Sequence, residues 1–347
     1  MKVLVTGGAG FIGSHAAIYY AQRGDQVICF DNLSRSELLK KQINKQYNWD
    51  YLKNYPSIKR VQADVRGKEK ITEAAREVDA IIHTAAQTAV TTSLEDPRTD
   101  FEVNAMGTFN VLEAARLSKG NPAVIFCSTN KVYGDNVNKI GVEEGSTRYK
   151  FEDKFKNGIT EKFSTDLCEH TPYGCSKLAA DLYVQDYGML YGLKTAVFRM
   201  SCIYGIRQFG VEDQGWIAWF AIATILGKPL TIYGDGKQVR DVLYVSDLIN
   251  AYNSFIENKE KIKNTVLNMG GGPENTLSLL ELIEILEQLT KKKLKLSYSD
   301  WRPSDQKVYI TDISKAKKVL NWKPIVTPKE GVKKLVTWIE ENKEAIA

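Results

Sequence analysis

Short apolar runs alternate with longer stretches in which apolar side chains recur every three to four positions. Runs rich in β-branched and bulky residues lie at 2–6, 26–30, 58–63, 80–84, 123–127 and 194–198. They are too short for buried helices and are bounded by polar turns, so they predict strands covered on both faces. Helical spacing fills 12–23, 69–77, 101–119 and 174–191. That alternation predicts an α/β fold with a doubly wound parallel sheet.

The pattern changes after residue 200. Ser278-Leu279-Leu280-Glu281 reads as a capping box ahead of a helix with Leu282, Ile285, Leu286 and Leu289 on one face. Pro328 marks the first turn of a last helix running through Val332, Leu335, Val336 and Ile339. Strand-like runs at 229–233, 265–269 and 294–298 fit a smaller α/β lobe. The predicted division is therefore a first domain over 1–200, with 240–256 returning to it, and a substrate lobe over 201–347. Two stretches break the rhythm. The region 34–55 reads as a loop or short helix, and 136–170 as a long connection of the kind that forms lids and binding loops.

Composition narrows the class. The chain has 347 residues, 43% of them hydrophobic, which suits a folded globular protein with a large core. A strand opens the chain at Lys2, leaving no room for a signal peptide, and no apolar run approaches a membrane span, so the cytoplasm is the expected location. Five cysteines without a C-x-x-C pair read as free thiols, and three scattered histidines offer no metal-ligand spacing. The net charge of +5 is dispersed among acids, which argues against nucleic acid and suits an anionic small molecule.

The loop Thr6-Gly7-Gly8-Ala9-Gly10-Phe11-Ile12-Gly13 joins the first strand to the first helix. Gly7 permits the tight turn, Gly10 lets backbone approach a pyrophosphate, and Gly13 allows close helix–strand packing, as in a Rossmann dinucleotide site. Asp31, at the end of the second strand, is placed to accept hydrogen bonds from a ribose and to repel a 2′-phosphate, which favours NAD over NADP. Asp64, with Val65, either faces the adenine or is an ordinary turn residue.

Tyr173 and Lys177 in Tyr173-Gly174-Cys175-Ser176-Lys177 share one helix face. A free phenol with a pKa near 10 is a poor base at neutral pH. An ammonium one turn away, with an oxidised nicotinamide, favours its phenolate. Tyr173 is thus the candidate general base and Lys177 its partner. Ser128 and Thr129 follow the strand 123–127, at the sheet edge where ligands bind in such folds. Thr129 could align a sugar hydroxyl and Ser128 support the backbone, or both could cap the loop. Cys202 reads better as a small residue packed beneath a substrate than as a nucleophile, since no base stands near it in the sequence.

These motifs resemble the extended short-chain dehydrogenases/reductases that act on nucleotide sugars. The resemblance rests on TGGAGFIG (6–13), His83-Thr84-Ala85-Ala86-Gln87, Asn104-Ala105-Met106-Gly107-Thr108, YGCSK (173–177) and Gly234-Asp235-Gly236-Lys237-Gln238-Val239-Arg240-Asp241-Val242. Trp301-Arg302-Pro303-Ser304-Asp305-Gln306 and Leu320-Asn321-Trp322-Lys323-Pro324 extend it to the last lobe. It implies NAD held by the glycine loop with Phe11 and Ile12, by Asp31, Asn32, Asp64 and Val65, and by Ala85, Ala86, Gln87 and Asn104, besides Ser128, Tyr173 and Lys177. Thr129, Asn130, Cys202, Arg207, Gln208, Arg240, Arg302 and Asp305 would face a nucleotide-sugar substrate. Arg207, Arg240 and Arg302 could clamp its diphosphate, or each could sit in an ion pair.

Within the family, 4,6-dehydratases carry an Asp-Glu pair after the Ser-Thr; here it is Asn130-Lys131, so dehydration is disfavoured. STNKVYGD (128–135), the long insert before Tyr173 and Arg199-Met200-Ser201-Cys202 resemble the CDP-paratose 2-epimerase (CDP-tyvelose epimerase) branch, which makes a sugar unit of lipopolysaccharide O-antigen. The chain departs from that branch at Met200-Ser201, where the branch has glycines. The resemblance implies a CDP-sugar substrate, inversion at C2 through a keto sugar, and a homotetramer. UDP-hexose 4-epimerases share the Ser/Thr–Tyr–Lys set and remain the alternative.

Overall fold

The structure is a computed structural model that describes residues 1–38, 46–302 and 305–346. The chain divides into two compact units: 1–132 with 171–199 and 249–267, and 133–170 with 200–248 and 268–347. The division and the sequence-derived boundary differ for 133–170, which leaves the first unit although it lies inside 1–200, and the returning segment is 249–267 rather than 240–256.

The first unit is built on the predicted sheet. Its seven strands lie in the order Thr265–Met269, Lys194–Met200, Ala123–Thr129, Ala80–His83, Lys2–Thr6, Gln26–Asp31 and Ile58–Gln62. Lys2–Thr6 runs parallel to both neighbours, pairing Val3 with Val27 on one side and with Ala80 on the other. All seven side chains of Ala123–Thr129 are buried, which is why this run is continuously apolar up to Ser128. The run 265–269, assigned from sequence to the smaller lobe, is instead the edge strand of the main sheet.

Helices Phe11–Gln22, Lys68–Ala75, Gly107–Arg116 and Thr171–Tyr191 match the predicted ones. The expected helix at 101–119 has a wide π turn, Glu102–Met106, between the short helix Pro97–Phe101 and Gly107–Arg116. Asp96 caps that short helix, its carboxylate accepting from the Thr99 amide at 3.0 Å. Leu4, Phe30, Ile71, Val111, Phe126 and Val184 belong to one buried cluster. Each such side chain contributes roughly 1.5–3 kcal/mol relative to exposure. That cluster holds the strand ends rigid beneath the glycine loop and Tyr173.

In the second unit, Val239–Tyr244 is the hub. It pairs in parallel with Cys202–Tyr204 and Val308–Tyr309 and antiparallel with Thr276–Ser278. Leu230–Tyr233 pairs in parallel with Leu296–Ser299. The stretch 136–170 contains a small hairpin, Val142–Glu144 with Tyr149–Phe151. The capping box is present: Ser278 Oγ accepts from the Glu281 amide at 3.1 Å, and Glu281 accepts from the Ser278 amide at 2.9 Å. The last helix runs Pro328–Glu341, capped by Thr327. The 34–55 region holds short helices at Arg35–Leu38 and Tyr47–Tyr51; its residues 39–45 lie outside the described residues.

Candidate active site

The glycine loop is a cradle with no room for side chains. Gly7 takes a φ of +68°, and a Cβ there would lie 2.6 Å from the Ala85 amide nitrogen. A Cβ on Gly13 would lie 2.2 Å from the Gly7 carbonyl oxygen, so the helix can close on the turn only with glycine present. The Gly10 amide donates to the Gly7 carbonyl at 2.9 Å, and no side chain caps helix Phe11–Gln22. That open end and bare backbone fit a pyrophosphate. Phe11 turns its ring edge to His15, and Ile12 is half-buried behind the loop.

Asp31 is tied to the loop: one carboxylate oxygen accepts from the Ala9 amide at 2.9 Å, the other from the Leu33 amide at 2.7 Å. Burial pushes its pKa up, and those two bonds pull it back. Asp64 accepts from its own turn, the Arg66 amide at 2.8 Å, from the Arg66 guanidinium, and from Asn32 Nδ2 at 2.7 Å. Its geometry is that of a turn residue which also anchors Asn32. Val65 is buried against Gly107, and its carbonyl accepts from Asn110. Ala85 and Ala86 are half-buried at the end of Ala80–His83, beside Gly7.

Tyr173 and Thr129 meet. Both residues are buried, and the Thr129 hydroxyl is near enough to the phenol to hold its pKa back. Thr129 Oγ1 also accepts from the Lys131 amide at 3.2 Å and donates to Asn130 Oδ1 at 3.3 Å. The start of the Tyr173 helix is fastened by Ser93, whose hydroxyl accepts from the Tyr173 amide at 3.2 Å. Lys177 lies one turn on, its Nζ 4.1 Å from the centre of the Phe126 ring. His83 is stacked on Phe126 as well and hydrogen-bonded to Thr6 and Thr108. Burial pushes His83 down to about 3, so it stays neutral.

The sequence predicts that Lys177 lowers the Tyr173 pKa. The protein's own field works the other way. Burial pushes Tyr173 up to about 12, with Asp100 and Cys127 adding to it and the Thr129 hydroxyl opposing. Burial likewise pushes Lys177 down to about 8. Desolvation penalises both charged forms more than the one-turn spacing helps.

Ser128 points into the protein, its hydroxyl donating to Asp181 at 2.8 Å. Asp181 is fully buried and paired with Arg199 at 2.9 and 3.1 Å, with Gln185 donating at 2.6 Å. Gln87 and Asn104 also face inward. The Gln87 amide donates to Asn104 Oδ1 at 2.9 Å, and Asn104 Nδ2 donates to Gln87 O, Asp100 and Ser176.

The second unit gathers Arg240 and Asp305, paired at 2.6 Å, with Arg240 also donating to the Gln306 carbonyl. Arg302 stacks 4.0 Å from the centre of the Tyr233 ring, donates to the Glu212 carbonyl at 3.2 Å and pairs with Asp213 at 3.3 Å. Its neighbours Pro303 and Ser304 lie outside the described residues. Cys202 Sγ accepts from the Trp216 indole at 3.4 Å. Gln208 donates to the Ile203 carbonyl, and Arg207 is buried with a φ of +58°. Among the described residues no group of three or more His, Cys, Asp or Glu could hold a metal ion, and no helix is long and apolar enough to cross a membrane.

Sequence reasoning missed Ser93, Asp100, Phe126 and the Asp181–Arg199 pair. Two of them carry a local signal: Asp181 follows Lys177 by four residues, and Asp100 precedes Asn104 by four, so each shares a helix face with its partner.

Comparison with known proteins agrees over nearly the whole chain. The sequence matches the family described as GDP-mannose 4,6 dehydratase over residues 4–335. It is 43% identical over 345 residues to a CDP-paratose 2-epimerase of Salmonella typhi, covering 97% of this chain and 99% of that protein. It is 33% identical to a UDP-glucuronate 4-epimerase of Thermodesulfobacterium geofontis, covering 99% and 97%. The fold superimposes with a TM-score of 0.81 on the crystal structure of UDP-glucuronic acid 4-epimerase from Bacillus cereus in complex with UDP-glucuronic acid and NAD. That match has 28% identity and covers 98% of this chain and 99% of the other. The chain therefore belongs to the GDP-mannose 4,6 dehydratase family of extended short-chain dehydrogenases/reductases.

Proposed function

We propose that this chain is an NAD-dependent nucleotide-sugar epimerase, and that it inverts C2 of CDP-paratose to give CDP-tyvelose through a transient keto sugar. The observation that carries the reading is the burial of Tyr173 together with Thr129 and Lys177, in the same unit as a glycine cradle that fits a dinucleotide. The relative from Salmonella typhi supports the choice of sugar. Asn130-Lys131 supports epimerisation over dehydration, because neither side chain can act as a carboxylic acid.

NAD supplies the acceptor and then the donor of hydride, and the cradle and Asp31 would hold it. Thr129 orients the sugar hydroxyl; Tyr173 takes its proton as the carbon loses hydride and returns a proton when hydride comes back to the other face. Since burial, with Asp100 and Cys127, holds Tyr173 near 12, the transfer would need a positive charge of the kind an oxidised nicotinamide would supply. Lys177, nearly free of water, would hold the nicotinamide ribose. Arg240 and Arg302 would exchange their present partners for substrate phosphate oxygens.

Epimerisation of a UDP-hexose at C4 is the second reading, supported by the relative and the solved structure named as 4-epimerases of UDP-glucuronate. Incubating the purified protein with each nucleotide sugar and reading the product by NMR separates them. Inversion at C2 of the CDP-sugar supports the first reading, and inversion at C4 of a UDP-sugar alone replaces it. The proposal includes a homo-oligomer, in which a second copy would cover Leu182, Tyr183, Met189 and Leu190, all exposed on helix Thr171–Tyr191. Light scattering at the mass of one chain would refute that part.

A further inference from the structure

The turn that carries Tyr173 and Lys177 stands on a carboxylate that the reading above does not use. Asp100 is fully buried. One of its oxygens accepts from Gln87 Nε2 at 3.0 Å and Asn104 Nδ2 at 3.1 Å; the other accepts from Ser176 Oγ at 2.5 Å. Each of these groups can donate, and two are amides with no acceptor on the bonding atom, a setting that suits a carboxylate rather than a carboxylic acid. Ser176 is next to Lys177 in the chain, and its hydroxyl lies 3.1 Å from the Tyr173 carbonyl. The carboxylate thus grips the helix between the two residues that handle the proton.

We propose that Asp100 is a positioning residue, which fixes this turn through Ser176 and keeps a negative charge beneath Tyr173 and Lys177. The proposal rests on those two residues being the proton-handling pair. Other charges facing them are few. Asp181, on the same helix, is neutralised by Arg199, and His83 is neutral behind Phe126. Cys127, from strand Ala123–Thr129, is a thiol pushed up to about 11 by burial. On the packed helices, Asp96 is exposed at its cap, Arg98 pairs with Glu102, Glu95 is exposed, and Arg116 pairs with Glu113 near Tyr187. Desolvation at Lys177 is opposed first by Cys127, then by Asp100 and by Asp181, and of these Asp100 and Cys127 also push Tyr173 up.

The Asp100→Asn substitution keeps the shape and lets Ser176 donate to the Tyr173 carbonyl while accepting from the new amide. NMR of lysine labelled with 13C at Cε reads the Lys177 titration, with its resonance identified by loss in Lys177→Met. In Asp100→Asn that titration moves from near pH 8 to lower pH by roughly one unit. The alkaline limb of the kcat/KM profile follows it, and Ser176→Ala lowers kcat without moving either. Asp100→Ser, a second neutral variant, must move the titration in the same direction and serves if the Asn protein does not fold. An unmoved titration, or an equal shift in Ser176→Ala, overturns the proposal. The titration needs no substrate, so failure of the protein to act on a nucleotide sugar would count against the proposed reaction and leave this result readable.

Discussion

The two units hold their charges differently. In the first, Asp181 and Arg199 are sealed from water, with side chains 0% and 7% exposed, and Lys177 and Asp100 are buried close to them. In the second, Arg240 and Asp305 keep 13% and 22% of their surface, and Arg302 and Asp213 about twice the arginine's share. A sealed ion pair is strongly destabilising to break, because the survivor is left without water or partner. A half-open pair can be traded for another anion at little cost. The first unit is thus built to keep a fixed electrostatic field, and the second to exchange partners.

Four measurements press on that contrast, and the largest effect falls on turnover. Tyr173→Phe keeps the ring in place and removes the proton acceptor, so kcat falls about 10²–10⁴-fold while the protein stays folded. Product formation by NMR measures it, and activity within a few fold of wild type would remove Tyr173 from the chemistry. Next is the cost of breaking each kind of pair. Asp181→Ala loses about 3–5 kcal/mol in urea unfolding, whereas Asp305→Ala loses under about 1 kcal/mol. Equal losses would erase the distinction between the units.

The third concerns Lys177, which titrates near 8 in the folded protein and near the ordinary 10.5 in the unfolded chain. Between those values the unfolded chain binds more protons, so this residue makes stability rise with pH across that window. Lys177→Met is inactive, is more stable than wild type at pH 7 by roughly 1–3 kcal/mol, and lacks that rise. Urea melts at pH 7 and pH 9.5 show whether the difference between the two proteins closes. The smallest effect is on substrate affinity: Arg240→Gln raises KM about tenfold with kcat nearly unchanged, as loss of one charged contact does. A fall in kcat alone would place Arg240 outside the binding surface.

Much of the first unit was legible because its information is local. Glycines three apart, a tyrosine and lysine four apart, and strands that end in a functional turn all declare themselves within a few residues. The edge strand Thr265–Met269 was misplaced because nothing in its five residues says which sheet will receive them. The second unit was harder to read. Arg240 meets Asp305 across 65 positions and Arg148 meets Glu281 across 133, and no spacing rule reaches that far. Even near Tyr173 the direction of its pKa escaped the sequence, since depth of burial is a property of the packed chain.

The wide turn Glu102–Met106 is a one-residue surplus in an otherwise ordinary winding. A chain one residue shorter there would rewind the preceding segment by about 100°. Asp100 would swing away from Ser176, while Gly107–Arg116 kept its packing. A single codon gained or lost at this spot therefore decides whether an acid lies beneath Tyr173 and Lys177, a small genetic step with a large electrostatic outcome.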